Sequence, residues 1–141
     1  MVNKSIIALD VGSRRVGVAL ANTVARLANP LTTIDRKTSD VWSLLGKIID
    51  ENKVDIIVIG LPRGMSGQET EQTALVRQFA EDFKSKFNLD YNFQDEAVTS
   101  VMAEEELQAR GGSYTKGDID ALSATYILND FITENYQQDT R

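Results

Sequence analysis

The 141-residue chain contains no cysteine and no histidine. Without cysteine there are no disulfides and no thiolate metal site. Without histidine there is no imidazole general base, no histidine-based triad and no zinc site built on imidazole. Hydrolytic chemistry then falls to carboxylates, Lys, Ser, Thr or Tyr, and carboxylates most naturally bring a hard cation such as Mg²⁺. Long hydrophobic runs are missing as well: none approaches the roughly 20 residues that span a bilayer. The apolar stretch ending at Leu9 is too short for a signal peptide and runs straight into Asp10. These absences predict a cytoplasmic protein with no membrane partner.

What is present suits a single globular domain over residues 1–141. The chain is 42% hydrophobic and 26% charged, with no repeat, linker or low-complexity segment. The net charge of −6 argues mildly against nucleic acid as a partner, but it hides an asymmetry. Residues 1–67 carry nine basic and six acidic side chains, +3; residues 68–141 carry six and fifteen, −9. A basic rim beside an acidic metal site is compatible with that split.

Hydrophobic periodicity predicts the order β-β-β-α-β-α-β-α-α. Ser5–Asp10 and Arg15–Ala21 read as a hairpin around Gly12-Ser13-Arg14, and Asn29–Ile34 as a third strand. Val41, Leu44, Leu45, Ile48 and Ile49 have helical spacing after a cap at Ser39 or Asp40. The continuous apolar run Asp55–Pro62 suits a buried parallel strand. A capping box at Ser66–Glu69 predicts a helix running to about Lys86. "LDYNFQDE" reads as the last strand, and "VTSVMAEEELQARGG" as a helix closed by Gly111-Gly112. The final helix has Thr115 as its cap. The fold class is therefore α/β: a mixed five-stranded sheet, antiparallel in its first half and parallel in its second, flanked by helices.

Three acids stand out on this framework. Asp10 ends the first strand, Glu96 the last, and Asp120 lies early in the final helix on a face with Ala124, Ile127, Leu128 and Phe131. Ligands of open α/β sheets gather beyond the carboxyl ends of strands. Three converging carboxylates repel and take up protons unless a cation joins them. Two divalent cations roughly 3.5–4 Å apart would neutralise the acids and clamp a phosphodiester for attack by water. Each acid also has an ordinary reading: Asp10 bonding its own turn, Glu96 solvated or capping, Asp120 favourable near a helix N-terminus. Asp118 reads as a surface acid at a helix start.

Candidate phosphate contacts surround these acids. The loop Gly60–Gly67, "GLPRGMSG", leads from the buried strand to a helix; its glycines, Gly64 among them, let backbone N–H groups approach an anion, and Arg63 can grip phosphate as a fork. Arg14 and Arg15 beside Gly12 at the hairpin, and Lys116 one turn before Asp120, are equally able to reach a nucleic-acid backbone. An ordinary strand-to-helix loop, a solvated hairpin tip and a surface lysine are the plain alternatives.

"ALDVGSRRVGVAL", "GLPRGMSG", "DEAVTS" and "KGDIDALSATYIL", in this order and over nearly the whole chain, resemble the YqgF/RuvX family. That family comprises RuvC-like members of the ribonuclease H-like superfamily, known as Holliday junction resolvase-like proteins and pre-16S rRNA nucleases. The resemblance puts the family's metal-binding acids on Asp10, Glu96 and Asp120. Its glycines fall on Gly12 and Gly17, its lysine on Lys116 and its anion loop on Gly60–Gly67. It implies a ribonuclease H-like fold and a Mg²⁺- or Mn²⁺-dependent endonuclease. The substrate it implies is structured nucleic acid, first the 5′ end of pre-16S rRNA and second a four-way DNA junction. Two positions depart from the family pattern: Ala97 replaces an arginine and Gly64 an asparagine. Both bear on gripping substrate rather than metal, and they lend weight to a non-catalytic RNA-binding or transcription-associated module. A phosphotransferase reading, from the likeness of the first hairpin to the phosphate loop of actin-like kinases, lacks a second nucleotide loop. Junction resolution needs two symmetric cuts and hence a dimer; the sequence leaves monomer and homodimer both open.

Overall fold

A computed structural model describes residues 2–96 and 99–136. The element order is β1 (Ser5–Val11), β2 (Arg15–Asn22), β3 (Asn29–Asp35), α1 (Val41–Glu51), β4 (Val54–Pro62), α2 (Glu71–Phe87), β5 (Asn92–Glu96), α3 (Thr99–Arg110) and α4 (Lys116–Tyr136). The strands form one five-stranded sheet in the order β3-β2-β1-β4-β5. β1 pairs antiparallel with β2, and β2 with β3; β1 and β5 both run parallel to β4. The expected architecture, antiparallel in one half and parallel in the other, is what the chain adopts.

Alternation along the strands sorts side chains to two faces. Ile7, Leu9, Val11, Val16, Val18, Ile57, Ile59 and Leu61 join α1 and α2 in the larger core, which includes Leu45, Phe79 and Phe83. Ile6, Ala8, Ala19, Ala21 and Val58 form a second core with Ala124, Ile127, Leu128 and Phe131 of α4. Small residues on this second face bring α4 close to the sheet. By the same alternation Asp10, Gly17 and Gly60 belong to the α4 side, at the pole where the parallel strands end.

Local signals explain most boundaries. Asp40 is the cap of α1, accepting from the Trp42 and Ser43 N–H groups. Gly111 and Gly112, both with φ near +80°, follow the end of α3. Thr115 begins α4: its Oγ1 accepts from Asp118 N–H, and Asp118 Oδ2 accepts from Thr115 N–H. Such caps contribute about 1 kcal/mol.

Two boundaries differ from the sequence reading. α2 starts at Glu71, and its capping box is Thr70 with Thr73 rather than Ser66–Glu69. The reason is that Gln68 serves the preceding loop: its Oε1 accepts from Ser66 N–H and its carbonyl from Gly64 N–H. Glu69 instead binds Arg77. The Thr73 hydroxyl also donates to Pro62 O at 2.6 Å, tying α2 to the end of β4. The last strand starts at Asn92, not Leu89, because Leu89 and Asp90 belong to the turn after α2, where Asp90 pairs with Lys84.

Candidate active site

Asp10 is the penultimate residue of β1 and sits directly across the hairpin ladder from Gly17. A methyl group on Gly17 would stand 2.1 Å from the carbonyl oxygen of Asp120, so the missing side chain is what lets α4 rest on β2 at that residue. Thr33 on β3 adds a second anchor, its hydroxyl donating to Gly117 O at 2.6 Å. Asp120 is thereby brought over the end of β1.

Gly60 does the same on the other side. A methyl group there would lie 2.5 Å from Ile127 Cδ1 and 2.6 Å from Glu96 Oε2, so the Glu96 carboxylate occupies the space above Gly60. Along β5, Gln94 is buried and its Nε2 donates to Glu134 of α4. Glu96, two residues on, points to the same side. Asp95 points the other way, to Arg63 at 3.5 Å.

The three acids therefore meet at one pole of the sheet. Their proximity registers in Asp10, whose carboxyl is pushed up to about 8 by burial first and then by the negative charges of Glu96 and Asp120. Among the described residues, however, no three acidic side chains stand as a closed metal chelate. Asp120 is turned toward Arg15, whose Nε donates to Oδ2 at 2.5 Å. Ser123, one turn beyond Asp120 and fully buried, has a hydroxyl without a hydrogen-bond partner among the described residues.

The expected phosphate contacts are arranged around this pole in different ways. Gly12 closes the hairpin turn, its N–H donating to Arg15 O and its carbonyl accepting from Arg36 Nη1. Arg36, which the sequence did not single out, packs its guanidinium over Phe79 at 5.3 Å. Arg14 is exposed and pairs with Asp35 at 3.1 Å. Gly64 makes room for the Gln68 side chain and anchors the loop through Gly67 N–H. Arg63 is held between Asp95 and Gly67 O, and Lys116 is exposed at the first residue of α4. Lys116, Val101, Glu104 and Ile119 line a groove of about 380 Å³ that opens onto Arg15 and Asp120. The Ala97 position lies outside the described residues.

A mixed sheet in the order 3-2-1-4-5, with a helix laid across its acidic pole, defines a ribonuclease H-like α/β protein. T. thermophilus RuvC, solved in complex with a Holliday junction substrate, has this fold: the two superpose with a TM-score of 0.53 at 10% identity over 93% of this chain and 94% of that one. The chain belongs to the RuvX family, whose model, described as Holliday junction resolvase, matches residues 4–134. It is 34% identical over 140 residues to a protein of Photorhabdus laumondii, covering 96% of this chain and all of that one. It is 36% identical to proteins of Chloroflexus aurantiacus, covering 94% of this chain and 88% of that one, and Yersinia pestis, covering 95% and 98%. All three carry the name "Putative pre-16S rRNA nuclease".

Proposed function

We propose that this chain is a divalent-metal-dependent endonuclease that matures the 5′ end of pre-16S rRNA in the cytoplasm, with Asp10, Glu96 and Asp120 as its metal-holding carboxylates. The observation that carries the reading is the Asp10 carboxyl, lifted to about 8 by burial and by its two acidic neighbours. Such a cluster is costly to fold as anions and is relieved by a cation. The donor set fits Mg²⁺ or Mn²⁺: all hard oxygens, with no sulfur or imidazole. Asp10 is the acid on which both others act electrostatically, and with Glu96 and Asp120 it would hold the metal. Bound there, the metal would generate the attacking hydroxide and stabilise charge on the leaving 3′ oxygen.

The remaining residues bind and orient substrate. Arg63, on the loop after β4, and Lys116, at the start of α4, neutralise phosphates of the substrate backbone. The backbone N–H groups of Gly12 and Gly64 are engaged by the Arg15 and Gln68 carbonyls, so anion contacts here fall to the basic side chains. The names of the relatives support rRNA as the substrate, and the family description supports a four-way DNA junction as the second candidate.

The test incubates the purified protein and Asp10→Asn with a labelled 5′ fragment of pre-16S rRNA and a four-way DNA junction, in Mn²⁺, Mg²⁺ or EDTA. The expected result is metal-dependent cleavage of the rRNA by the wild type alone, leaving a 5′-phosphate and a 3′-hydroxyl. Preferential cutting of the junction would replace the substrate. Nucleic acid bound but never cut would overturn the enzyme reading in favour of a binding module.

A further inference from the structure

We infer that Arg15 is a stand-in cation for Asp120, displaced from its carboxylate when a divalent ion binds. The inference rests on the metal role proposed above for Asp120. Its geometric basis is the 2.5 Å contact between Arg15 Nε and Asp120 Oδ2, with the Arg15 side chain 31% and the Asp120 side chain 19% exposed. The pair is therefore neither buried beyond exchange nor a fully solvated surface contact.

A structural strut is the ordinary explanation of such a pair, but α4 is already fixed without it. Gly17 receives the backbone at Asp120, Thr33 holds Gly117 O, and Thr115 with Asp118 caps the helix. What Arg15 adds is charge. Its guanidinium sits on one of the three carboxylates that meet at this pole, where a positive group reduces the repulsion. A dication shared among the acids would do so more completely.

The contact is also made to be released. Arg15 holds Asp120 through Nε alone, and Nη1 and Nη2 make no hydrogen bond among the described residues. A single-nitrogen contact is weaker than the two-nitrogen fork that arginine can form with a carboxylate. Arg15 itself lines the groove that Lys116 and Ile119 line. Displacement from Asp120 leaves the guanidinium there as a fork for a phosphate oxygen. The two states use the same side chain: a counter-ion before metal binds, a substrate contact afterwards.

The test measures Mn²⁺ binding by isothermal titration calorimetry, and thermal unfolding in EDTA and in saturating Mn²⁺, for the wild type, Arg15→Gln and Arg15→Lys. Arg15→Gln removes the competing charge and is expected to bind Mn²⁺ about 2–5-fold more tightly, the size of a partly exposed ion pair. Arg15→Lys keeps the charge and should bind Mn²⁺ like the wild type. The melting temperature of Arg15→Gln should lie below that of the wild type in EDTA, with the gap closing in Mn²⁺. A merely structural role predicts a gap that persists in Mn²⁺ and no gain in affinity; a folded Arg15→Gln that binds Mn²⁺ no more tightly than the wild type overturns the displacement. Wild type and Arg15→Gln that both fail to bind Mn²⁺ overturn the metal reading as well. None of these readouts depends on which nucleic acid is cut.

Discussion

Gly17 lies opposite Asp10 in the β1–β2 ladder and directly beneath the Asp120 carbonyl, which a methyl group at Gly17 would approach to 2.1 Å. One missing side chain thus brings two acids from opposite ends of the sequence to the same pole. Gly17→Ala must push α4 away from β2. The expected cost is about 2–4 kcal/mol, as for other overpacked positions, with a loss of Mn²⁺ affinity. Chemical denaturation and Mn²⁺ titration of the variant check both.

Gly60→Ala tests the other side of the pole. The new methyl would meet Ile127 Cδ1 and Glu96 Oε2 at 2.5 and 2.6 Å. Because the carboxylate can move more easily than α4, Glu96 is expected to be displaced. Nuclease activity should fall at least about tenfold, while stability falls by only about 1–2 kcal/mol. Activity assays beside denaturant titration separate the two effects.

Asp10 sets a pH dependence. Its folded-state carboxyl titrates near 8 and its unfolded one near 3.8. The unfolded chain therefore gives up the proton first, and stability in EDTA falls as pH rises from about 4 to about 8, then levels. Asp10→Asn removes that loss. It is expected to raise stability at pH 8 by on the order of 2–5 kcal/mol while abolishing cleavage. Melting curves at pH 5 and pH 8 in EDTA check the sign: the gain belongs at pH 8 and is small at pH 5.

Arg63 is exposed, and it contacts Asp95 and Gly67 O. Arg63→Ala should change stability by less than about 0.5 kcal/mol. Substrate binding should weaken roughly 3–10-fold, with the salt dependence of log K lowered by about one phosphate contact. Binding measured at several salt concentrations tests this.

Much of this was legible in the chain because its signals are local. The apolar runs of β1 and β4, buried on both faces, and the helical spacing at Val41, Leu45 and Ile49, buried on one, follow from where each element packs. Thr115 and Gly111-Gly112 mark helix ends by their own chemistry. Where a side chain has competing partners, the sequence misleads. Ser66–Glu69 has the form of a capping box, but Gln68 binds the loop and Thr70 with Thr73 caps the helix instead.

At the site, strand ends and helix spacing marked Asp10, Glu96 and Asp120 as candidates, and the family resemblance made them the expected metal ligands. The glycines that let them converge are tertiary features: Gly17 matters because α4 crosses there, and nothing in β2 itself says so. Arg15 was expected at phosphate, and it is found on Asp120, 105 residues away. No spacing rule reports such a pairing.

The most direct test is the location of the metal. Crystals grown with Mn²⁺, measured for anomalous scattering, should show manganese bound by the carboxylates of Asp10, Glu96 and Asp120, with the Arg15 guanidinium moved off Asp120. Manganese absent from this pole, or held there without Asp10, would contradict the account.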